Sequence, residues 1–355
     1  MNRRLLGRTG LRVSELCLGT IGFGWATNRE TSLAILDAFA DAGGNFIQAT
    51  SVYPEIPDTC TWTNLSELYL GEWLEANAPS RQDMFVSTRV TINTGEAETA
   101  ARHLRLACEA SLRKLKTTYL DLLVCQWHPS FFQTEVLLRE MTSLVQSGEI
   151  RYFGFAGFPL WRVTESLHTS RSENHCRIES FQTDYSLLER TTVEREIGEL
   201  CRERRVALLA TSPLAGGYLG GRLDAMPENL SERSRRLTQR YNTTRGRKVL
   251  SALESVALAT GHSTGSIALA WTLHNPALTS AIVGVRTIQQ LNEAVRATSL
   301  DLGISELHSL DLASSATGVR CPATRRKRQI GTHKYPSSLS ESTGRLAPRR
   351  LSAAT

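Results

Sequence analysis

Short apolar runs alternate with longer amphipathic stretches along most of the chain. The runs Glu15–Leu18, Asn45–Ala49, Met84–Thr88, Leu120–Cys125, Tyr152–Ala156, Ile178–Gln182, Val206–Ala210 and Ser280–Val283 have the length of strands and are apolar enough to be buried on both faces. Between them the period lengthens. Over Ala101–Leu115, the residues Leu104, Cys108, Leu112 and Leu115 recur at spacings of four and three, with Arg105, Glu109, Arg113 and Lys114 between them. That spacing predicts a helix with one apolar face, packed on a sheet. Thr31–Ala42 repeats the pattern through Leu33, Ile35, Leu36 and Phe39, and Ile288–Ala297 follows the last strand. Eight such units, without the pause of a topological switch point, predict an α/β fold of the (β/α)8 TIM-barrel type. No Gly-x-Gly-x-x-Gly follows the first strand, which argues against a doubly wound dinucleotide site.

Two short strands, Arg3–Leu6 and Leu11–Ser14, flank Gly-Arg-Thr-Gly and predict a hairpin that caps the bottom of the barrel. The stretch Asn45-Phe-Ile-Gln-Ala-Thr-Ser-Val-Tyr-Pro54 runs from a buried strand into a loop. Tyr53 is thereby placed at the C-terminal end of a strand, where barrels carry catalytic groups. Pro54–Leu65 and Gly216–Arg247 read as long excursions on that same face, suited to shaping the mouth of a pocket.

Charge changes the picture only at the end of the chain. The whole chain of 355 residues carries a formal charge of +6. From Gly318 onward there are nine basic residues against the single acid Glu341, so the rest of the chain is left at about −2. A body of that charge has no basic footprint, and nucleic acid is not expected as a partner. Residues 1–316 are read as the barrel and 317–355 as a basic tail, rich in Ser, Arg, Pro and Thr and expected to be disordered. The seven cysteines form no Cys-x-x-Cys pair, and Met1-Asn-Arg-Arg is not followed by an uninterrupted apolar segment. No membrane span and no leader are expected, and a reduced, cytoplasmic compartment fits. No His-x-x-x-His motif suggests a metal.

Several separated motifs arrive in order: Leu-Gly-Arg-Thr-Gly-Leu-Arg-Val-Ser, Ser66-Glu67-Leu-Tyr-Leu-Gly71, Glu109-Ala-Ser-Leu-Arg-Lys-Leu115, Tyr119-Leu-Asp121-Leu, Ser212-Pro-Leu-Ala-Gly-Gly217 and Ala268-Leu-Ala-Trp271. Over roughly Arg3 to Ser314 the chain resembles the aldo-keto reductase family. The resemblance implies a barrel that binds NADPH across its C-terminal face and reduces a carbonyl with an Asp, Tyr, Lys, His tetrad, the tyrosine acting as general acid. Carried over by position, the four are Gln48, Tyr53, Arg89 (in Val86-Ser-Thr-Arg-Val90) and Gln126 (in Val124-Cys-Gln-Trp127), so only the tyrosine is kept. A guanidinium keeps the positive charge but relays no proton. Without the aspartate to offset it, Arg89 should lower the pKa of Tyr53. The Gln126 amide can still donate a hydrogen bond, and His128, two residues on, lies on the same side of an extended strand.

The resemblance also implies where the cofactor lies. Thr20, Gln182 for the carboxamide, Ser212 and Leu214 on the pyrophosphate side, and Arg222, Gly284, Arg286, Gln290 and Glu293 toward the adenosine 2′-phosphate match family positions. Ala156-Gly157 replaces a Ser-Asn pair that holds the nicotinamide amide, Thr211 replaces the aromatic stacked on its ring, and Ala294 replaces an adenine-side asparagine. Two readings follow. One is an NADP(H)-dependent reductase of a small-molecule aldehyde or ketone with an atypical tetrad. The other is a barrel that runs non-redox acid/base chemistry (isomerisation, epimerisation or dehydration) or only binds.

Overall fold

The computed structural model describes residues 1–51, 65–76, 81–91, 97–126, 133–221 and 239–315. Eight strands form the centre: β3 (Leu16–Gly19), β4 (Phe46–Thr50), β5 (Phe85–Thr91), β6 (Leu120–Gln126), β7 (Ile150–Ala156), β8 (Ser180–Asp184), β9 (Ala207–Thr211) and β10 (Leu278–Val283). They pair in parallel and close as β10-β3-β4-β5-β6-β7-β8-β9, the barrel that the pattern of apolar runs predicts. A separate antiparallel pair, β1 (Arg3–Leu5) and β2 (Arg12–Ser14), is the expected hairpin. Its loop side chain Leu6 and strand residue Val13 are fully buried with Cys17, Phe46, Phe85, Leu122, Val124, Ala207 and Leu209, so the hairpin plugs one end of the barrel.

Helices α1 (Arg29–Asp41), α2 (Ser66–Ala76), α3 (Ala97–Lys114), α4 (Thr134–Gln146), α5 (Leu160–Ser172) and α6 (Gly198–Arg204) return the chain from strand to strand. The connection from β9 to β10 holds two helices, α7 (Thr244–Thr260) and α8 (Thr264–Leu273), and α9 (Ile288–Ala297) and α10 (Ile304–Ser314) follow β10. Periodicity does not single out α8. Its residues from Ser266 to Leu273 are all buried, and a helix covered on every side has no polar face to reveal it.

Of the excursion read over Gly216–Arg247, residues 222–238 lie outside the described residues. Ala215–Gly220 is a 3₁₀ segment kinked at Gly216 and Gly217, and α7 takes up the end of the excursion from Thr244, with Thr243 capping it by accepting a hydrogen bond from the Gly246 N–H at 3.1 Å. The strands in turn run further than their apolar letters. β5 reaches Thr91, β6 Gln126, β8 Asp184 and β9 Thr211, because the ladder still pairs Thr91 with Gln126 and Asp184 with Thr211. Backbone pairing ends a strand, not the last apolar side chain. Each extension carries a polar residue to the rim.

Inside the barrel, alternate residues of each strand face inward. Phe46 and Phe85 meet edge to face with centroids 5.0 Å apart near the hairpin. Higher up, a Cβ on Gly154 would fall 1.9 Å from Ser180 Oγ, so the inward position on β7 is held empty of side chain by its neighbour on β8.

Cys17, Cys108, Cys125 and Cys201 are buried thiols. Burial pushes the last three up to about 12, and Cys17 is raised well above its ordinary value by the same cause. A thiol whose pKa is raised by folding keeps its proton after the unfolded chain has lost it. The stabilisation is therefore full below the unfolded value near 8.5 and is lost as pH climbs toward 12. Stability should fall by about 1.4 kcal/mol per pH unit per thiol between roughly pH 9 and 12. Chemical denaturation followed by circular dichroism at pH 8, 9.5 and 10.5 checks this, and a midpoint that does not move would contradict it.

Candidate functional site

The end of the barrel opposite the hairpin gathers the polar inward positions. Gln48 on β4, Arg89 on β5 and Gln126 on β6 come from three consecutive strands. Register puts Gln126 opposite Thr91, one inward step nearer the rim than Arg89. These three of the four positions implied by the tetrad are therefore brought together. Tyr53 and His128 lie outside the described residues. Arg89 is half-buried, and Gln126 Nε2 lies only 3.1 Å from where a Cβ on Gly157 would be. Gly157 has a φ of +67°, so the Ala156-Gly157 pair provides both a left-handed turn and space for the Gln126 amide.

Gln48, in register with Ser87 on β5, has its hydrogen-bond partner on another strand. Its amide crosses the barrel and pairs with Gln182 on β8: Gln48 Nε2 donates to Gln182 Oε1 at 3.1 Å, and Gln182 Nε2 donates to Gln48 Oε1 at 3.0 Å. In a ring of eight, β4 and β8 are four strands apart in either direction, so the pair bridges the full diameter. Both side chains are buried, and each satisfies the other. Ser87, in register with Gln48, and Ser180, two residues before Gln182, are fully buried, and their hydroxyls have no hydrogen-bond partner among the described residues.

The positions implied for a cofactor lie on the neighbouring sector. Thr20, after β3, is buried; its N–H donates to the Gln48 carbonyl at 3.0 Å, and its hydroxyl lies 2.6 Å from Ser66 Oγ. After β9, Ser212 and Ala215 both hold a φ of +50°, and Gly216 and Gly217 follow at +68° and +100°. Left-handed backbone at two residues with side chains is strain of about 1–3 kcal/mol each, and such strain concentrates where a loop serves a ligand. Leu214, between them, is partly buried. Beyond β10, Gly284 and Arg286 are exposed, and the Arg286 guanidinium sits 6.0 Å from the ring of Trp25. Gln290 turns back to accept from the Arg286 N–H at 2.8 Å, and Thr287 caps α9 through the Gln290 N–H. Glu293 accepts from Gln289, and its carbonyl accepts from Ser266. Arg222 lies outside the described residues.

Over residues 15–314 the chain matches the model of the aldo/keto reductase family. The protein belongs to that family. An uncharacterized oxidoreductase, YrpG, of Bacillus subtilis is 31% identical over 324 residues, covering 88% of this chain and 95% of its own. A norsolorinic acid reductase, stcV, of Emericella nidulans is 29% identical over 328 residues, covering 87% and 80%. An aryl-alcohol dehydrogenase of Pestalotiopsis microspora is 30% identical over 328 residues, covering 87% and 81%. Among solved structures, a thermostable aldo-keto reductase in complex with the inhibitor epalrestat superposes with a TM-score of 0.68 at 26% identity, over 88% of this chain and all of that one. This aldo-keto reductase shows no cluster of metal-ligating side chains and no helix long and apolar enough to cross a membrane among its described residues.

Two features of the rim escape a reading by motif. Asp184, two residues past Gln182 and so on the same face of β8, is an exposed carboxylate that accepts from Thr211 Oγ1 at 2.6 Å. Alternation along the strand is the signal that finds it. Trp25, on the loop after β3, is the second. Nothing in its local sequence points toward Arg286, which lies 261 residues away in the chain.

Proposed function

We propose that this family member is an NADP(H)-dependent reductase acting on the carbonyl of a small molecule, an aldehyde or a ketone. The supporting observation is the composition of the rim: Arg89 and Gln126 stand at inward positions near the C-terminal ends of the adjacent strands β5 and β6, and both side chains carry N–H donors. A carbonyl oxygen that gains negative charge is stabilised by such fixed donors, each contributing about 2 to 4 kcal/mol at the transition state in comparable sites. Tyr53, three residues beyond β4 in sequence, supplies the proton to that oxygen. Arg89 stays protonated throughout and stabilises the resulting tyrosinate without relaying a proton.

For the cofactor, the strained Ser212 to Gly217 backbone and the Arg286 side chain over Trp25 suit a phosphate-bearing adenosine end. Arg222, Gln290 and Glu293 would complete it. When bound, the reduced nicotinamide supplies hydride to the carbonyl carbon. The name of one relative, an aryl-alcohol dehydrogenase, makes aromatic aldehydes and ketones the first panel to try.

Titration with NADPH should quench its fluorescence on binding, and loss of absorbance at 340 nm should follow addition of a reducible member of the panel. One observation favours a second reading. The Gln182 amide is already engaged by Gln48, which suits a barrel using Tyr53 and Arg89 for isomerisation, epimerisation or dehydration, or one that only binds. Failure of NADPH to bind at all would replace the first reading with the second.

A further inference from the structure

We propose that Gln48 occupies, from within the chain, the carboxamide position that the family resemblance gives to Gln182, so that the carboxamide of a nicotinamide ligand enters only by displacing Gln48. The inference rests on the reductase reading above and adds a control to the same site. Its basis is chemical identity: the end of a glutamine side chain is a primary amide, the same group that nicotinamide carries. The two reciprocal hydrogen bonds of 3.1 and 3.0 Å are therefore the contacts a ligand amide would make, already made internally. Neither amide makes another side-chain hydrogen bond among the described residues, so exchanging Gln48 for a ligand leaves the bonds at Gln182 unchanged in number and kind.

A second observation gives the displaced amide somewhere to go. Ser87 is the register partner of Gln48 on β5, so the two side chains stand next to each other on the inner face. The Ser87 hydroxyl is fully buried and has no hydrogen-bond partner among the described residues. A buried hydroxyl left unpaired costs free energy, which an incoming amide would recover. Gln48 thus has two sites, Gln182 in the closed arrangement and Ser87 in the open one, and a ligand amide selects between them. The residue that replaces the family's acidic group acts here as an internal competitor for the nicotinamide end of the cofactor.

The test compares NADP⁺ with adenosine 2′,5′-bisphosphate, which keeps the 2′-phosphate and lacks the nicotinamide, by calorimetric titration of the full-length wild type and of Gln48→Ala. In the wild type the two ligands should bind within about threefold of each other, because the nicotinamide gains its contacts only by breaking an equivalent pair. In Gln48→Ala the advantage of NADP⁺ should grow by about 10- to 100-fold, the worth of two hydrogen bonds no longer contested. If truncation prevents folding, Gln48→Thr leaves a smaller polar side chain beside Ser87 and should give the same gain. An unchanged ratio in a folded variant would overturn the proposal, as would a strong preference for NADP⁺ in the wild type. Binding of neither ligand to the wild type would instead remove the cofactor reading, and the proposal with it.

Discussion

Tyr53→Phe should lower kcat/KM for carbonyl reduction by about 10²- to 10⁴-fold, the usual worth of a positioned general acid. NADP⁺ affinity should stay within about twofold, because in the proposed reaction the phenol would act on the substrate oxygen rather than on the nucleotide. The prediction is sharper here than in a barrel with a complete tetrad. Of the four positions the resemblance assigns, the other three hold Gln48, Arg89 and Gln126, none of which exchanges a proton near neutral pH. The tyrosine therefore has no substitute among them. Steady-state kinetics with NADPH and whichever aldehyde or ketone is turned over, paired with a binding titration, separate the two effects. Turnover by the phenylalanine variant at the parent rate would remove Tyr53 from the mechanism and leave the donors at Arg89 and Gln126 to carry it alone.

Arg190→Ala should cost about 3–5 kcal/mol of stability, the loss expected when one member of a buried ionic network is removed. Arg190 is 5% exposed and sits just past β8 in Gln182-Thr-Asp-Tyr-Ser-Leu-Leu-Glu-Arg190. Its guanidinium meets Glu194 at 2.9 Å and Asp311 at 3.0 Å, donates to Ser314 Oγ at 2.6 Å, and lies over the Trp271 ring at 4.8 Å. Trp271 Nε1 in turn donates to Asp311, while Tyr185 joins Glu194 and Asn275. The network ties the loop after β8 to α8 and to α10. Alanine would take their shared cation from the buried Asp311 and the partly buried Glu194. Arg190→Lys should recover only part of the loss, since one ammonium cannot serve three acceptors in a fixed plane. Urea unfolding monitored by tryptophan fluorescence measures both variants. A loss below about 1 kcal/mol for Arg190→Ala would show that the network is not what holds α10 in place.

The barrel is legible in the sequence because its two periods are local. A strand buried on both faces must be apolar throughout, and a helix laid on it must show one apolar stripe, so eight repeats of that pair can be counted without coordinates. The family is legible for a related reason: motifs such as Ser66-Glu67-Leu-Tyr-Leu-Gly71 and Ser212-Pro-Leu-Ala-Gly-Gly217 stand in order over most of the chain. Sequence also places Gln48, Arg89 and Gln126 at strand ends.

Position along a strand says nothing about which side chain meets which across the interior. That Gln48 bonds Gln182, 134 residues away, is decided only when β4 and β8 close onto opposite walls of one cylinder. The same closure gives Trp25 to Arg286 and aligns Asp184 with Thr211. Local periodicity fixes what each segment is, because a segment buries its own apolar face. The contacts at the mouth depend on long-range register and on the free energy of pairing buried polar groups, and those exist only once the chain has folded.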